Sequence, residues 1–126
     1  MDCLLPAERL SGVCVSATPS FEVSVLPERA LVRVRLSGEV DLATSGLVDA
    51  EIQELWNSGC KEVVVDLRQV TFMDSSGLFV LVTHHRRAVA RGVRFSIIDG
   101  GGPVAHVLAL TGIDQVLHYA SVDGTG

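Results

Sequence analysis

The segment that decides the fold of this chain reads VVVDLRQVTFMDSSGLFVLV and occupies residues 63–82. Its first part is a run of valine and leucine interrupted only by Asp66, which is typical of a strand buried on both faces of a sheet. Beyond the polar cluster DSSG, apolar residues recur at helical spacing, at Leu78, Leu81, Val82 and Val89. The segment therefore predicts a strand, a short loop and a helix, with Ser75 and Ser76 at the helix N-terminus.

The two serines can serve this helix start in two ways. The first turn of a helix has unpaired backbone N–H groups and the positive end of the helix dipole, so it accommodates negative charge. A serine at this place can cap the helix with its hydroxyl, or it can carry a phosphate group. The residue pattern alone favours capping and leaves phosphorylation open.

The sequence FMDSSGL at residues 72–78 resembles the signature of the anti-sigma factor antagonists, bacterial proteins built on the STAS domain. The sequence GEVD at residues 38–41 is similar to a second motif of that family, Gly-Glu-Leu-Asp, and lies at the expected distance upstream. The resemblance covers about residues 21–119. It implies that the second serine of DSSG, Ser76, is phosphorylated by a partner that is both an anti-sigma factor and a serine kinase.

The resemblance also implies a mode of action and a contact surface. The unmodified protein would bind the anti-sigma factor and free the sigma factor, and phosphorylation would end that binding. The residues expected to meet the partner are Asp41, Asp74, Ser75, Ser76, Gly77 and Phe79. A serine phosphatase is a further candidate partner. The alternative is a STAS interaction module of a stressosome or of a lipid or anion transporter.

Two of these contact residues have competing interpretations. Asp41 can instead hydrogen-bond nearby amides at the start of a helix. Phe79 stands where the family often has glycine, one turn beyond Ser76. Its ring is either an anchor for a particular partner, a group that excludes the usual partner, or part of the core.

Composition narrows the function classes. A chain of 126 residues fits one domain, and a net charge of −5 provides no basic footprint for nucleic acid. Cys3, Cys14 and Cys60 lack a CxxC spacing, which favours reduced thiols in a cytoplasmic protein. No signal peptide and no apolar span of about 18 residues is recognisable, so we expect neither secretion nor membrane insertion.

The remaining pattern predicts the order of the elements. Alternating residues at 21–26 and 31–36 predict a β-hairpin, and an apolar stripe at Val48, Ile52, Leu55 and Trp56 predicts a helix after it. Arg68 and Gln69 interrupt the central strand. Further strands are expected at 93–98 and 115–119, with a helix between them that begins at Pro103.

The expected fold class is α/β, a single STAS-type domain with a mixed sheet of about five strands flanked by about three helices. This domain is expected to span residues 21–121. Residues 1–20 are predicted to be a flexible N-terminal extension, and residues 122–126 a short C-terminal tail.

Motifs for catalysis, cofactors and metals are missing from the sequence. The glycines at 100–102 fit part of a dinucleotide-binding pattern, but too little chain follows them for the sheet that such a site needs. The DSSG cluster lacks the small residue that a nucleophile elbow places two positions before its serine. The four histidines have no metal-ligand spacing with the cysteines. We therefore expect no catalytic residue, no cofactor and no metal.

Overall fold

The computed structural model describes residues 14–18, 21–27 and 31–120, with only the backbone described for residues 14–18. These residues form five strands and three α-helices: β1 Cys14–Thr18, β2 Phe21–Pro27, β3 Val32–Val40, α1 Leu42–Asn57, β4 Glu62–Met73, α2 Ser75–Arg91, β5 Arg94–Ile98 and α3 Pro103–Thr111. A short 3-10 helix at Ile113–Gln115 follows α3.

The five strands form one mixed sheet in the order β1-β2-β3-β4-β5. The pairs β1–β2 and β2–β3 are antiparallel, whereas β3–β4 and β4–β5 are parallel. The predicted fold class and the predicted hairpin of β2 and β3 are therefore confirmed. Residues 63–67 of β4 are all buried, so this strand is covered on both faces, as its sequence indicates.

The one charged side chain in the apolar run of β4, Asp66, is buried and paired with an arginine. The guanidinium of Arg68 donates to both oxygens of Asp66, from Nε at 3.0 Å and from Nη2 at 2.7 Å. Burial raises the pKa of Asp66, but the hydrogen bonds and charge of Arg68, helped by Arg35, hold that pKa below its usual value. The negative charge is thus tolerated because it is paired where it is buried.

Strand β4 is longer than predicted, and Arg68 and Gln69 do not end it. Arg35 of β3 pairs with Asp66, but Ser37 pairs with Gln69, so β4 carries one extra residue between these pairs. A second register shift of the same kind lies between the pairs that follow. Each bulge accommodates one extra residue of β4, so the strand continues through the break in the apolar pattern.

Near each end of the described residues, the strand content differs from the prediction. Residues 14–18 belong to the predicted flexible extension, but they form β1, which pairs with the otherwise open edge of β2. The rest of residues 1–20 and the predicted tail at 122–126 lie outside the described residues. The strand predicted at 115–119 is reduced to a single bridge between Tyr119 and Ile97, because the chain forms a 3-10 helix first.

Candidate functional site

Two helices begin side by side at the carboxyl ends of two paired strands. The last residues of β3 and β4, Val40 and Met73, are partners in the parallel ladder. An aspartate follows each of them, Asp41 before α1 and Asp74 before α2, and the Asp74 N–H donates to the Val40 carbonyl at 3.1 Å. The segments GEVD and DSSG are therefore neighbours in space.

Asp41 caps helix α1. Its Oδ1 accepts from the N–H groups of Ala43 at 3.0 Å and Thr44 at 3.1 Å. The Thr44 hydroxyl in return accepts from the Asp41 N–H at 2.9 Å, which completes a capping box. Of its two interpretations, the structure therefore supports the helix start, and a contact between Asp41 and a partner stays a prediction.

Asp74, and not a serine, caps helix α2. Its Oδ1 accepts from the Ser76 N–H at 2.9 Å, from the Gly77 N–H at 3.4 Å and from the Ser76 hydroxyl. The hydrogen bond from the Ser76 hydroxyl, followed by those from the N–H groups of Ser76 and Gly77, holds the pKa of Asp74 below its usual value. The prediction of a serine cap was wrong, because a carboxylate one residue earlier accepts the same amides and brings a favourable charge to the helix end.

The other predicted contact residues differ in exposure. Ser75 is exposed and Ser76 is half-buried, with its hydroxyl held by Asp74. Gly77 is the one buried member of the predicted set. A Cβ at this position would lie 2.7 Å from Met73 Cγ and 2.8 Å from Val40 Cγ1, so glycine lets α2 start directly against the ends of both strands. Its place in the structure is a packing position.

A groove of about 590 Å³ runs between α1 and α2 and includes both serines. Ten residues line it: Leu42, Ser45, Gly46, Asp49, Ser75, Ser76, Phe79, Val80, Thr83 and Arg87. Two of its apolar residues are open to solvent: Phe79 has 71% and Leu42 has 82% of the residue surface exposed. The ring of Phe79 is therefore not part of the core. Sequence reasoning missed Leu42. The only sequence feature that could have indicated it is an apolar residue at the first position of a helix.

A buried histidine supports one wall of this groove. His84 is fully buried, and its Nδ1 accepts from Trp56 Nε1–H at 3.1 Å while its Nε2 lies 2.7 Å from Asp49 Oδ1. Because an indole N–H only donates, the proton of the neutral imidazole must be on Nε2, which donates to Asp49. Burial lowers the pKa of His84, although Asp49 opposes this effect. Sequence reasoning treated His84 and Trp56 as ordinary residues and missed this link to the groove.

Residues 23–124 match the family model of the STAS domain, which accounts for most of the chain. The chain belongs to the STAS domain family. The paired helix starts and the groove between α1 and α2 are thus features of a STAS domain.

Three of the proteins that this chain resembles carry names from one regulatory class. The chain is 29% identical over 99 residues to an anti-sigma F factor antagonist of Paenibacillus polymyxa, covering 78% of this STAS domain chain and 85% of that protein. It is 26% identical over 107 residues to the anti-sigma-F factor antagonist RsfB of Mycobacterium tuberculosis, covering 85% and 87%. The crystal structure of an anti-sigma factor antagonist from Mycobacterium paratuberculosis superposes with a TM-score of 0.75 at 25% identity, covering 86% and 93%.

The part of the chain that the structure describes has neither a metal-ligand cluster nor a helix suited to span a membrane. In this part of the STAS domain, no three side chains among His, Cys, Asp and Glu are grouped so that they could hold a metal ion. None of the helices in residues 31–120 combines the length and the apolar character that crossing a membrane requires.

Proposed function

We propose that this STAS domain is an anti-sigma factor antagonist, a regulatory protein of the cytoplasm without a reaction of its own. Its unmodified form binds an anti-sigma factor and thereby frees the sigma factor. The anti-sigma factor is also a serine kinase, and it ends the binding by phosphorylating Ser76. A serine phosphatase would restore the binding form. The names of the similar proteins support the class, and the surroundings of Ser76 support the switch.

The observation that carries this proposal is that Ser76, in the first turn of α2, lines a groove together with two exposed apolar side chains. Ser76 lines the same groove as Phe79 and Leu42, whose exposed apolar surface a partner could bury. Exposed apolar residues grouped around a groove are typical of a docking surface. A modification at Ser76 therefore falls inside the surface that a partner would cover.

The phosphate would act through its charge and hydration. It adds about −1.5 to −2 charges at neutral pH. A partner that packs against Phe79 and Leu42 would then have to remove water from a doubly charged group, which is costly unless opposite charges replace that water. Asp74 lies in contact with the Ser76 hydroxyl, and Asp49 and Arg87 line the same groove, so the phosphate would stand directly beside one carboxylate.

The test is phosphorylation by the cognate kinase with mapping of the modified residue, followed by affinity measurement on both forms. We expect phosphate on Ser76 and an affinity for the anti-sigma factor that falls at least about tenfold, which corresponds to about 1.4 kcal/mol. The unmodified protein serves as bait to identify the partner. Capture of a transporter subunit or a stressosome component instead, or equal affinity of the two forms, would contradict the proposal.

A further inference from the structure

We infer that Asp49 is a charged contact residue of the groove, which binds a cationic side chain of the partner, and that the buried His84 is the positioning residue that holds its carboxylate there. This assignment rests on the proposed function, because it needs a partner that covers the groove. It adds a chemical requirement to that partner. A lysine or an arginine must lie opposite Asp49 when the partner packs against Phe79 and Leu42.

The first observation is that the carboxylate of Asp49 has a single donor among the residues that the structure describes. His84 Nε2 lies 2.7 Å from Asp49 Oδ1, and no described residue donates to Oδ2. The Asp49 side chain is 48% exposed, and the residue lines the groove together with Phe79 and Leu42. A carboxylate can accept about four hydrogen bonds, so most of its capacity is left for water or for a partner.

The second observation is that this donor brings no charge to the carboxylate. Trp56 Nε1–H donates to His84 Nδ1 at 3.1 Å, so Nδ1 has no proton and the imidazole is neutral. Its one N–H, on Nε2, donates to Asp49 from a ring that is fully buried behind the groove wall. The histidine therefore fixes the orientation of the carboxylate without neutralising it.

The third observation is that the cation of the groove is engaged elsewhere. Arg87 lines the groove, but its Nη1 donates to Gln53 Oε1, and it forms no ion pair with Asp49. In the unbound protein the negative charge of Asp49 is thus stabilised by water and by one neutral donor.

A partner that covers the groove removes that water. A carboxylate that loses its water is costly to bury unless an opposite charge or further donors replace it. The described part of this chain supplies Asp49 with no cation, so the partner has to supply one. The groove also has exposed apolar surface at Phe79 and Leu42, and a side chain with an apolar stem and a cationic end satisfies both features.

A purely structural role for Asp49 makes a different prediction. If Asp49 serves only as the acceptor for His84 Nε2, removing its charge leaves the affinity for a partner unchanged. The variant Asp49→Asn separates the two roles. Asparagine has nearly the same shape and keeps an oxygen that accepts from His84, but it has no negative charge.

The experiment uses the full chain, unmodified at Ser76, and the purified partner that this chain captures as bait. Affinity is measured at low and at high salt. We expect Asp49→Asn to weaken binding at least about tenfold at low salt and to make the affinity less dependent on salt. Glu54→Gln is the matched control, because it removes the same charge from an exposed residue of α1 that does not line the groove. It should change the affinity less than about twofold.

A charge swap then locates the cation. Asp49→Arg should bind more weakly than Asp49→Asn, because it places like charges opposite each other. One variant of the partner in which a lysine or an arginine is replaced by glutamate should restore binding to Asp49→Arg at least about tenfold. Equal losses in Asp49→Asn and Arg87→Gln, with no further loss in the double variant, would assign the pairing to Arg87 and overturn the inference.

The positioning role of His84 has its own readout. His84→Leu removes the donor to Asp49 and should weaken binding in the wild-type background, but less than about twofold in the Asp49→Asn background. His84→Gln retains a donor and an acceptor and should keep more of the affinity than His84→Leu. Equal losses from His84→Leu in both backgrounds would mean that the ring acts only on the fold. The Asp49 variants need no change in the core, so they decide the contact even if His84→Leu folds poorly.

Failure of the inference and failure of the proposed function give different results. A captured partner that is not an anti-sigma factor contradicts the proposed function, and the affinities of the Asp49 variants are compared with that partner in the same way. Wild-type affinity in Asp49→Asn, or no glutamate variant of the partner that rescues Asp49→Arg, overturns the contact assigned to Asp49 while the proposed function stands.

Discussion

At the scale of single residues, His84 shows how a buried polar side chain can shape an exposed surface. Its ring lies between the indole of Trp56 and the carboxylate of Asp49, and it also contacts the ring of Phe95. Removing the ring would leave the Trp56 N–H without an acceptor inside the core. The loss of that hydrogen bond alone costs about 1–3 kcal/mol.

This histidine should make folding stability depend on pH. Burial lowers the pKa of His84 in the folded protein, so the unfolded chain binds a proton more readily. The contribution of neutral His84 to the free energy of unfolding is therefore fully present above the unfolded pKa of about 6.5 and is lost as the pH falls through the folded pKa. Urea unfolding of wild type and His84→Gln from pH 8 to pH 5 checks this, and wild type should lose more stability on acidification.

The control for that measurement is another histidine. The pKa of His85 is also lowered, mainly by burial and then by His118, so part of the acid effect belongs to His85. His85→Gln is the variant that measures this part separately. A pH dependence that is the same in wild type and His84→Gln would contradict the prediction.

Phe79 is the second residue with a defined test. Because most of its ring is exposed, Phe79→Ala should change the free energy of unfolding by less than about 0.5 kcal/mol. If the ring is a partner anchor, the same change should weaken binding of the anti-sigma factor by about 1–3 kcal/mol. Val89→Ala is a matched control, since Val89 is also an exposed apolar residue of α2 but does not line the groove.

Two further outcomes would decide against the anchor. Equal effects of Phe79→Ala and Val89→Ala on binding would show that the groove has no special part in docking. A loss of stability as large as the loss of affinity would assign the ring to packing. Phe79→Gly adds a helix penalty of roughly 1 kcal/mol relative to alanine and is the less informative variant.

At the scale of elements, the start of α2 depends on the absence of a side chain. In Gly77→Ala the new methyl group would overlap the side chains of Met73 and Val40, which are both buried and would have to shift. We expect a loss of about 1–3 kcal/mol in the free energy of unfolding. Gly46→Ala is the matched control, because a methyl group there would meet no atom within 4 Å and alanine favours a helix by about 1 kcal/mol.

Thermal unfolding of the two glycine variants separates packing from helix propensity. The predicted signs are opposite, with Gly77→Ala less stable and Gly46→Ala more stable than wild type. Destabilisation of similar size in both variants would mean that the close contact at Gly77 is not what requires glycine.

The elements also show how far sequence reasoning can reach. The apolar run of β4 and the helical period of α2 were sufficient to predict both elements. A strand buried on both faces has a continuous apolar sequence, and a helix buried along one stripe has apolar residues at helical spacing. The bulges of β4 were not predictable, since they depend on which residues of β3 lie opposite. The Asp74 cap was missed because aspartate and serine are both good caps, and only the backbone decides which of them precedes the first helical residue.

At the scale of the whole molecule, the family resemblance implied that Asp41 and Ser76 belong to one contact surface, but the residue pattern alone did not define how the site is arranged. Nothing in the order of GEVD and DSSG states that their aspartates start neighbouring helices. That proximity follows from β3 and β4 being parallel and ending together, which is a long-range property of the sheet. The groove, Leu42 and the support by His84 follow from the same packing and could not be predicted from local patterns.

The whole-molecule prediction concerns Ser76 as a switch between two binding states. Ser76→Ala removes the hydroxyl that donates to Asp74, but the backbone amides of residues 76 and 77 remain and the helix cap is kept. The fold should therefore persist, with a loss of about 0.5–1.5 kcal/mol for one hydrogen bond. Without an acceptor for phosphate, Ser76→Ala should bind the anti-sigma factor constitutively. Ser76→Asp should bind more weakly than wild type, but only in part, because a carboxylate carries less charge and bulk than a phosphate.

The measurement is the affinity of each variant for the purified anti-sigma factor, before and after incubation with ATP. Wild type should lose binding during incubation, whereas Ser76→Ala should keep it. Ser75→Ala is the control and should behave as wild type. Ser75 is exposed, and its hydroxyl is not among the groups that donate to the Asp74 cap. Constitutive binding by Ser75→Ala would mean that Ser75, and not Ser76, is the residue that accepts the phosphate. Loss of binding by a stably folded Ser76→Ala would mean that the hydroxyl itself is needed for docking, and the charge-based switch would then have to be abandoned.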